Sequence, residues 1–237
     1  MLADTYGTNA QLGLLRPEVH LPIESVHELL DFIGIELPKW RDRRDRKRET
    51  SETALTSQLS RHLNSAARHS AWDFLQFATE VPDERRAVRR IDIAVSGADS
   101  IVWVQGRRYS DLDTLLPIEC KRLPTPKGKK RDEREYVINR NSSTGGIYRF
   151  KAGHHGSGHN FGAMIAYIQN GEATIWHGRV DGWIHELMQL GVIGWSEQDA
   201  IHVVNKKNLH GVSSYRSTHA RANNLTPIEL RHLWIEM

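Results

Sequence analysis

Residues 89–97 read RRIDIAVSG, a stretch in which apolar and less apolar positions alternate. Ile91, Ile93 and Val95 occupy every second position, which is the period of a strand with one apolar face. Asp92 lies between them and therefore points to the less apolar face. The stretch predicts a strand that carries one carboxylate among β-forming residues.

A second stretch, residues 115–123, reads LLPIECKRL and is also typical of a strand. Glu119 and Lys121 are two residues apart, so their side chains share one face of that strand. Pro124 and Pro126 follow and end the strand. We expect the two strands to be neighbours, which brings the aspartate of the first close to the glutamate and lysine of the second.

A helix is predicted N-terminal to both strands. It begins at Thr50 or Ser51, because either side chain can cap a helix N-terminus. Leucines then recur at helical spacing through residues 51–68. Glu52 lies in the first turn of this helix.

The remaining elements are predicted from the same periodicities. Their order is an irregular arm over residues 1–22, a helix over 23–34 that stops at Gly34, a basic linker over 41–48, strands over 72–81 and 101–106, an interrupted helix over 132–151, a strand over 160–171, a helix over 173–190, and strands near 212–219 and 227–236. Residues 97–114 are interpreted as an inserted hairpin or loop.

This order predicts an α/β fold with a mixed sheet flanked by helices. A crossover helix between the strands at 115–123 and 160–171 makes those two strands parallel. We divide the chain into residues 1–50, which form an arm, a helix and a basic linker, and a domain over residues 51–237.

The composition is that of a globular protein. The chain has 237 residues, of which 39% are hydrophobic and 26% are charged. It has no apolar run long enough for a membrane span and no signal peptide at its N-terminus. Cys120 is the sole cysteine, so no disulfide can form within the chain. These features predict a cytoplasmic protein without a membrane partner.

Positive charge is concentrated in two runs. Net charge is +3, but residues 41–48 read RDRRDRKR and residues 127–131 read KGKKR. Clustered lysine and arginine suit a polyanion, because each neutralised phosphate releases counterions. We expect both runs to bind phosphates of a nucleic acid. The residues assigned to this role are Lys127, Lys129, Lys130 and Arg131, together with Arg149 on the predicted crossover helix.

Asp92, Glu119 and Lys121 together suit the hydrolysis of phosphodiester bonds. Carboxylates hold hard divalent cations, which prefer oxygen ligands. Such cations lower the pKa of a bound water and neutralise charge on the phosphate. A lysine beside them can orient the attacking water, and the carbonyl of Cys120 is a further candidate metal ligand.

These motifs resemble those of the PD-(D/E)XK nucleases, a superfamily that includes restriction endonucleases and Holliday-junction resolvases. The matching text is RRIDIAV around Asp92 and LPIECKRL around Glu119 and Lys121, preceded by the helix that carries Glu52. The proline of the motif is replaced here by Ile91. The resemblance implies a restriction-endonuclease-like αβββαβ core with N- and C-terminal additions.

The resemblance also implies the chemistry of the site. The Asp and Glu of the motif bind Mg²⁺ or Mn²⁺, and the lysine helps to activate water. Glu52 matches a further metal ligand of many members. The implied activity is that of a Mg²⁺-dependent DNA endonuclease in restriction, phage defence or repair. Such a nuclease can act as a homodimer or as the partner subunit of a defence complex.

Two other functions remain open at this stage. One is a catalytically silent DNA-binding or assembly module with the same fold, and the other is an RNA-directed nuclease. A further alternative concerns His154, His155 and His159 in GHHGSGHNFG. Three histidines can bind zinc, but no acidic or cysteine partner is near in sequence, so a loop beside the catalytic centre that contacts phosphate is favoured.

Overall fold

The computed structural model describes residues 16–83, 88–128, 131–139, 145–209 and 211–237, with backbone only for 205–209. The elements in chain order are β1 (Glu18–Leu21), α1 (Glu24–Arg41), α2 (Glu52–Ala67), β2 (Leu75–Pro82), β3 (Arg90–Gly97), β4 (Ile101–Val104), β5 (Arg107–Tyr109), β6 (Leu116–Leu123), α3 (Gly146–Lys151), β7 (Phe161–Ile168), α4 (Ala173–Gln189), a 3₁₀ turn (Glu197–Asp199), β8 (His202–Leu209), β9 (Val212–His219) and β10 (Ile228–Glu236).

A mixed sheet of seven strands forms the centre of the molecule. Its order is β2-β3-β6-β7-β10-β9-β8. The pairs β6–β7 and β7–β10 are parallel, whereas β3 pairs with β6 antiparallel through Ile93 and Ile118. The predicted α/β class with a mixed sheet is therefore confirmed, as are the parallel pair across the crossover and the adjacency of the two motif strands.

Helices cover both faces of this sheet, so the sheet has an apolar core on each side. The first core joins α1 and α2 to side chains such as Ile118, Cys120 and Tyr167. The second joins α3 and α4 to side chains such as Leu123 and Met164. Side chains alternate along β6, so Glu119 and Lys121 lie on the face that α3 and α4 cover. No helix in the described ranges is long and apolar enough to span a membrane.

The predicted insertion is a hairpin. Strands β4 and β5 pair antiparallel, and together with β1 they form a separate sheet of three strands. The prediction of an irregular arm is therefore wrong for Glu18–Leu21, which pairs parallel with Ile101–Val104. This strand is four residues long and alternates only between exposed and half-buried positions, so its sequence carries little apolar signal.

The first helix is longer than predicted. We expected α1 to stop at Gly34, but it runs to Arg41. Leu37 and Trp40 continue its buried face at 0% and 1% exposure, and this burial outweighs the local cost of a glycine in a helix. Pro38 follows within the helix and has no N–H to donate to the carbonyl of Gly34.

The second helix is confirmed with its cap. The hydroxyl of Ser51 accepts a hydrogen bond from the Ala54 N–H at 3.2 Å. Leu55, Leu59 and Leu63 are all fully buried, which fixes the side of α2 that faces the sheet.

The crossover between β6 and β7 is mostly not helical. We expected an interrupted helix over 132–151, but α3 spans only Gly146–Lys151, and the described residues before it form turns. A Cβ atom on Gly145 would lie 2.2 Å from the Cα of Ile138. The two backbones therefore meet there, and the crossover folds back on itself instead of continuing as one helix.

Strands β7, β9 and β10 and helix α4 are confirmed near their predicted bounds. Strand β8 was not predicted, because residues 202–209 read HVVNKKNL and lack a period-two pattern.

Candidate active site

Strands β3 and β6 bring the motif residues together. The backbone N–H of Cys120 donates to Asp92 Oδ2 at 2.7 Å, so the aspartate is held by the neighbouring strand. Glu119 is fully buried and Lys121 is nearly so. Lys121 Nζ lies 2.7 Å from Glu119 Oε1. The predicted proximity of these three residues is therefore what the structure shows.

The Lys121 ammonium lies among four oxygen groups. It forms an ion pair with Glu119 and donates hydrogen bonds to the Cys120 carbonyl at 2.8 Å and to Glu52 Oε1 at 3.2 Å. Asp92 Oδ2 lies 3.8 Å away. These are the same four groups that the sequence assigns as metal ligands, and here they converge on one cation.

Glu52 enters this cluster from the N-terminus of α2. Its Oε2 atom accepts the backbone N–H of Arg122 at 3.0 Å. The side chain thus joins the helix to β6 and does more than interact with the helix dipole. Because the Ser51 cap fixes the first turn, Glu52 is held at the edge of the site by local structure.

Two further groups contact Glu119 from the loop side. Arg149 on α3 donates from Nη1 to Glu119 Oε1 at 2.5 Å, so the arginine expected to meet phosphate lies at the site. His155 Nδ1 lies 3.2 Å from Glu119 Oε2, although this pair does not have hydrogen-bond geometry. The sequence signal for His155 was the histidine-rich loop, but no pattern singled it out from His154 and His159.

The histidine loop does not gather its three imidazoles on one centre. His159 Nε2 contacts the Thr114 carbonyl at 2.6 Å, whereas His155 faces Glu119. Arg221 ties this loop down by donating to the carbonyls of Gly156 and His159, both at 2.9 Å. The zinc alternative therefore has no support from the described geometry.

Burial and charge shift the protonation of the cluster. Burial first, and then the charge of Glu119, raises the pKa of Asp92 to about 7. Burial alone would raise the pKa of Glu119, but Lys121 and Arg149 outweigh it and hold that pKa well below its usual value. Burial alone would lower the pKa of Lys121, but Glu119, Asp92 and Glu52 raise it. The cluster therefore contains a charged lysine and a charged glutamate at neutral pH.

The donor set fits a hard divalent cation by its chemistry. Three carboxylates and one carbonyl supply only oxygen ligands, as Mg²⁺ and Mn²⁺ prefer. The buried Oε2 atom of Glu119 makes no hydrogen bond within the described residues. As arranged here, no group of three or more histidine, cysteine, aspartate or glutamate side chains in the described part of the chain is set to hold a metal ion. The lysine ammonium takes the central position among them.

The basic run after β6 is only partly described. Lys127 is exposed, and Arg131 forms a pair of hydrogen bonds with Glu135 at 2.8 and 3.0 Å. The hydrogen bonds with Glu135 are the main cause that raises the pKa of Arg131, so the charge of this arginine is paired with that carboxylate. Lys129 and Lys130 lie outside the described residues.

A second polar constellation, away from the motif residues, has the order of a hydrolase triad. His219 Nδ1 lies 2.5 Å from Asp199 Oδ1, and Ser217 Oγ lies 2.6 Å from His219 Nε2. Ser217 and His219 are 0% exposed, so no substrate can reach the hydroxyl. Ser217 Oγ also contacts His232 Nε2 at 2.8 Å. This group is an internal hydrogen-bond network and not a nucleophilic site.

No family model, curated protein or solved structure matches this chain. The class of site is therefore defined by its geometry alone, as a cluster of carboxylates and buried cations at the junction of two strands.

Proposed function

We propose that this protein is a metal-dependent nuclease that hydrolyses phosphodiester bonds. One observation carries the proposal: the side chains of Asp92, Glu119 and Glu52 and the Cys120 carbonyl surround the Lys121 ammonium at 2.7 to 3.8 Å. Four oxygen donors and a lysine from two strands and a helix provide the groups that phosphodiester hydrolysis requires.

The element order supports the resemblance to PD-(D/E)XK nucleases. Helix α2 is followed by β2, β3 and β6, and after the crossover that contains α3 comes β7. This is the αβββαβ order, with the hairpin β4–β5 inserted between its second and third strands. Asp92 and Glu119 then lie on the second and third strands of that core, as the resemblance implies. We propose this core for the chain, with α1 and the strands after α4 as additions.

Each residue of the site has a proposed role. Asp92, Glu119, Glu52 and the Cys120 carbonyl would hold Mg²⁺ or Mn²⁺, which when bound lowers the pKa of a water and neutralises phosphate charge. Lys121 orients the attacking water by hydrogen bonds from its ammonium.

Arg149 lies beside the same carboxylate and is placed to donate to a phosphate oxygen. His155 is buried next to Glu119, with Nδ1 3.2 Å from Oε2, and restricts the rotation of that carboxylate by packing against it. Both residues therefore extend the site toward the loop that follows α3.

The proposed substrate is DNA, in restriction, phage defence or repair, with RNA as the alternative. A cytoplasmic location and action as a homodimer, or as the partner subunit of a defence complex, belong to the same proposal. These settings rest on the resemblance, because one fold serves many roles.

The test is incubation of the purified protein with plasmid, linear, single-stranded and branched DNA and with RNA. Each substrate is tested with Mg²⁺, Mn²⁺, Ca²⁺ or EDTA. We expect cleavage with Mg²⁺ or Mn²⁺, none with EDTA, and little with Ca²⁺, whose larger shell holds water and phosphate less rigidly. Full cleavage in excess chelator would contradict the proposal.

One observation favours a catalytically silent module as the second candidate. Glu119 Oε1 accepts a hydrogen bond from Arg149 Nη1 at 2.5 Å and forms an ion pair with Lys121 Nζ at 2.7 Å. The carboxylate is thus already neutralised by the chain's own cations, as in a structural ion-pair cluster. If the protein cleaves no substrate but still binds DNA, a catalytically silent DNA-binding module becomes the supported function in place of a nuclease.

A further inference from the structure

Residues of the first basic run, 41–48, line an open groove together with Gln169 and Glu236. The groove has a volume of about 870 Å³. Five of the residues along it are arginines, and Asp42, Glu49 and Glu236 also line it. The arginines are Arg41, Arg43, Arg44, Arg46 and Arg48.

Two of these arginines hold the loop in place. Arg41 donates from Nη1 to the Glu236 carbonyl at 2.9 Å and forms two hydrogen bonds with Asp42 at 2.7 and 2.8 Å. Arg46 donates from Nε to the Arg41 carbonyl at 3.1 Å and lies over the ring of Trp40 at 5.1 Å. A third, Arg43, is neutralised by Asp45. Arg41 and Arg43 are therefore paired with acidic neighbours, whereas Arg46 is held by a carbonyl and an aromatic ring.

Arg44 and Arg48 differ from the other arginines of the run. Both are exposed, and neither has a hydrogen bond or an ion pair with any described residue. Burial lowers the pKa of Arg46, and the neighbouring charges of Arg48 and Arg41 lower it further, which shows that cations are crowded here. An anion in the groove would relieve that repulsion.

The groove adjoins the candidate active site. The side chain of Gln169, on the groove wall, donates from Nε2 to the Thr50 carbonyl at 2.9 Å and accepts at Oε1 from Arg122 Nη2 at 2.7 Å. Arg122 in turn donates its backbone N–H to Glu52. Thr50 and Glu52 are two residues apart, a span of at most about 7 Å.

No aromatic ring is among the residues that line the groove in the described part of the chain. Trp40, beside it, is buried under Arg46. Proteins that hold bases in a single-strand channel stack them on exposed aromatic rings. This groove therefore presents positive charge to the phosphates of a nucleic acid, but no exposed ring on which a base could stack.

We propose that Arg44 and Arg48 bind phosphates of the nucleic-acid strand that enters the active site past Glu52, without regard to base sequence. This inference rests on the proposed nuclease function, because only then is the bound strand a substrate. Binding itself can be measured without cleavage. Phosphate contacts position a strand and carry no sequence information.

The test is binding of labelled oligothymidylate, oligoadenylate and a duplex of about 20 nucleotides to the full chain in EDTA, between about 50 and 200 mM salt. The test variant is Arg44→Ser with Arg48→Ser. The matched control is Arg61→Ser with Arg68→Ser, which removes the same charge from exposed positions on α2 and just after its C-terminus. Neither test position supports the fold through a contact, so the double variant should fold.

We expect the double variant to bind every oligonucleotide on the order of tenfold more weakly, because two phosphate contacts are lost. The slope of log affinity against log salt should fall by about 1.4 on single strands or about 1.8 on duplex. The control should keep the wild-type slope.

Wild-type affinity and slope in the double variant would overturn the inference, and so would a loss confined to one base composition. Binding of pyrophosphate, but of no oligonucleotide, at these arginines would also overturn it, because a small phosphate compound would then be the ligand. If the double variant loses binding but the wild type never cleaves DNA or RNA, the phosphate-binding groove is supported and the proposed nuclease function is contradicted.

Discussion

At the scale of the residue, the position of Lys121 is the most informative feature of the site. Its ammonium lies where the surrounding oxygens would hold a divalent cation. A divalent cation cannot share that position with the ammonium, because even at about 4 Å a double and a single positive charge repel by roughly 8 kcal/mol at an effective dielectric constant of about 20. Metal binding therefore requires the lysine side chain to move aside.

This competition gives a prediction that does not depend on turnover. Lys121→Met should raise the affinity for Ca²⁺ by on the order of tenfold, since the metal no longer displaces an ammonium. Titration calorimetry measures the change. Lys127→Met, at an exposed position after the same strand, is the control and should bind Ca²⁺ as the wild type does. Weaker Ca²⁺ binding in Lys121→Met would show that the lysine supports the metal site and does not occupy it.

Glu52 supplies the second prediction at this scale. If Glu52 is a metal ligand, Glu52→Gln should raise the Mg²⁺ concentration for half-maximal cleavage by about tenfold. If the side chain only joins α2 to the Arg122 N–H, the variant should lose about 1 kcal/mol of stability and keep its metal dependence. The two readouts, a Mg²⁺ titration of rate and a urea unfolding curve, separate these outcomes.

The sequence predicted the motif residues of the site but not all of the shell around them. Asp92, Glu119 and Lys121 are local strand signals, and strand adjacency followed from their order. The contact of His155 with Glu119 depends on how the loop after α3 is tied down by Arg221. Arg221 holds that loop through the backbone carbonyls of Gly156 and His159, far away in the chain, and side-chain patterns do not record such contacts.

At the scale of the element, the errors in the predicted fold have a common cause. Local signals at Gly34 and around residue 145 were read without the packing that overrides them. Leu37 and Trp40 extend α1 past its glycine because the sheet offers them a core. Strands β1 and β8 are held by backbone pairing with a neighbour, which leaves little trace in hydropathy. Elements with clear periodicity, such as α2, β3 and α4, were predicted near their observed bounds.

Gly34 gives a prediction about stability. It lies inside α1, and a Cβ atom there would meet only Leu233 Cδ2 at an ordinary 3.6 Å. Gly34→Ala should therefore stabilise the protein by about 0.5–1 kcal/mol, because alanine loses less backbone entropy in a helix. Gly106→Ala is the contrast, since φ is +76° there, and it should destabilise by about 1 kcal/mol. Urea unfolding tests both, and a loss of stability in Gly34→Ala would contradict the packing described for α1.

The buried side chains on β9 and β10 belong to a chain of hydrogen bonds in which every donor and acceptor can be assigned in one consistent direction. Trp234 donates to the Tyr136 hydroxyl, Tyr136 to His232 Nδ1, His232 to Ser217, Ser217 to His219, and His219 to Asp199. Lys151 completes the network as the charged partner of Asp199. In this order both histidines are neutral and every one of these groups is satisfied.

The network predicts a loss of stability in acid. Burial lowers the pKa of both His219 and His232 below 6.5. The unfolded chain therefore binds protons below about pH 6.5 that the folded chain excludes, and the free energy of unfolding falls by up to about 1.4 kcal/mol per pH unit for each histidine. In His232→Gln, the free energy of unfolding should fall less steeply with decreasing pH, because one of the two histidines no longer contributes. The exposed His69→Gln is the control. An unchanged slope in His232→Gln between about pH 7 and 5 would contradict the network.

At the scale of the whole molecule, the candidate active site and the arginine groove adjoin each other. The carboxylate cluster lies where β3 and β6 meet the N-terminus of α2, and the arginine groove lies on the loop that leads into the same helix. The Ser51 cap and the hydrogen bond from Gln169 to Thr50 hold the loop and the helix in one arrangement. A nucleic-acid strand bound in the groove would thus approach the candidate metal site in a fixed direction.

The central claim is that the carboxylate cluster hydrolyses phosphodiester bonds. The most direct measurement compares the cleavage rate of the wild type with those of Asp92→Asn, Glu119→Gln and Lys121→Ala at saturating nucleic acid in Mg²⁺, with folding of each verified by circular dichroism. The account predicts cleavage by the wild type and a loss of about 10²-fold or more in each variant, because each removes a group that acts in the transition state. Near wild-type cleavage by any two of the three variants would contradict it.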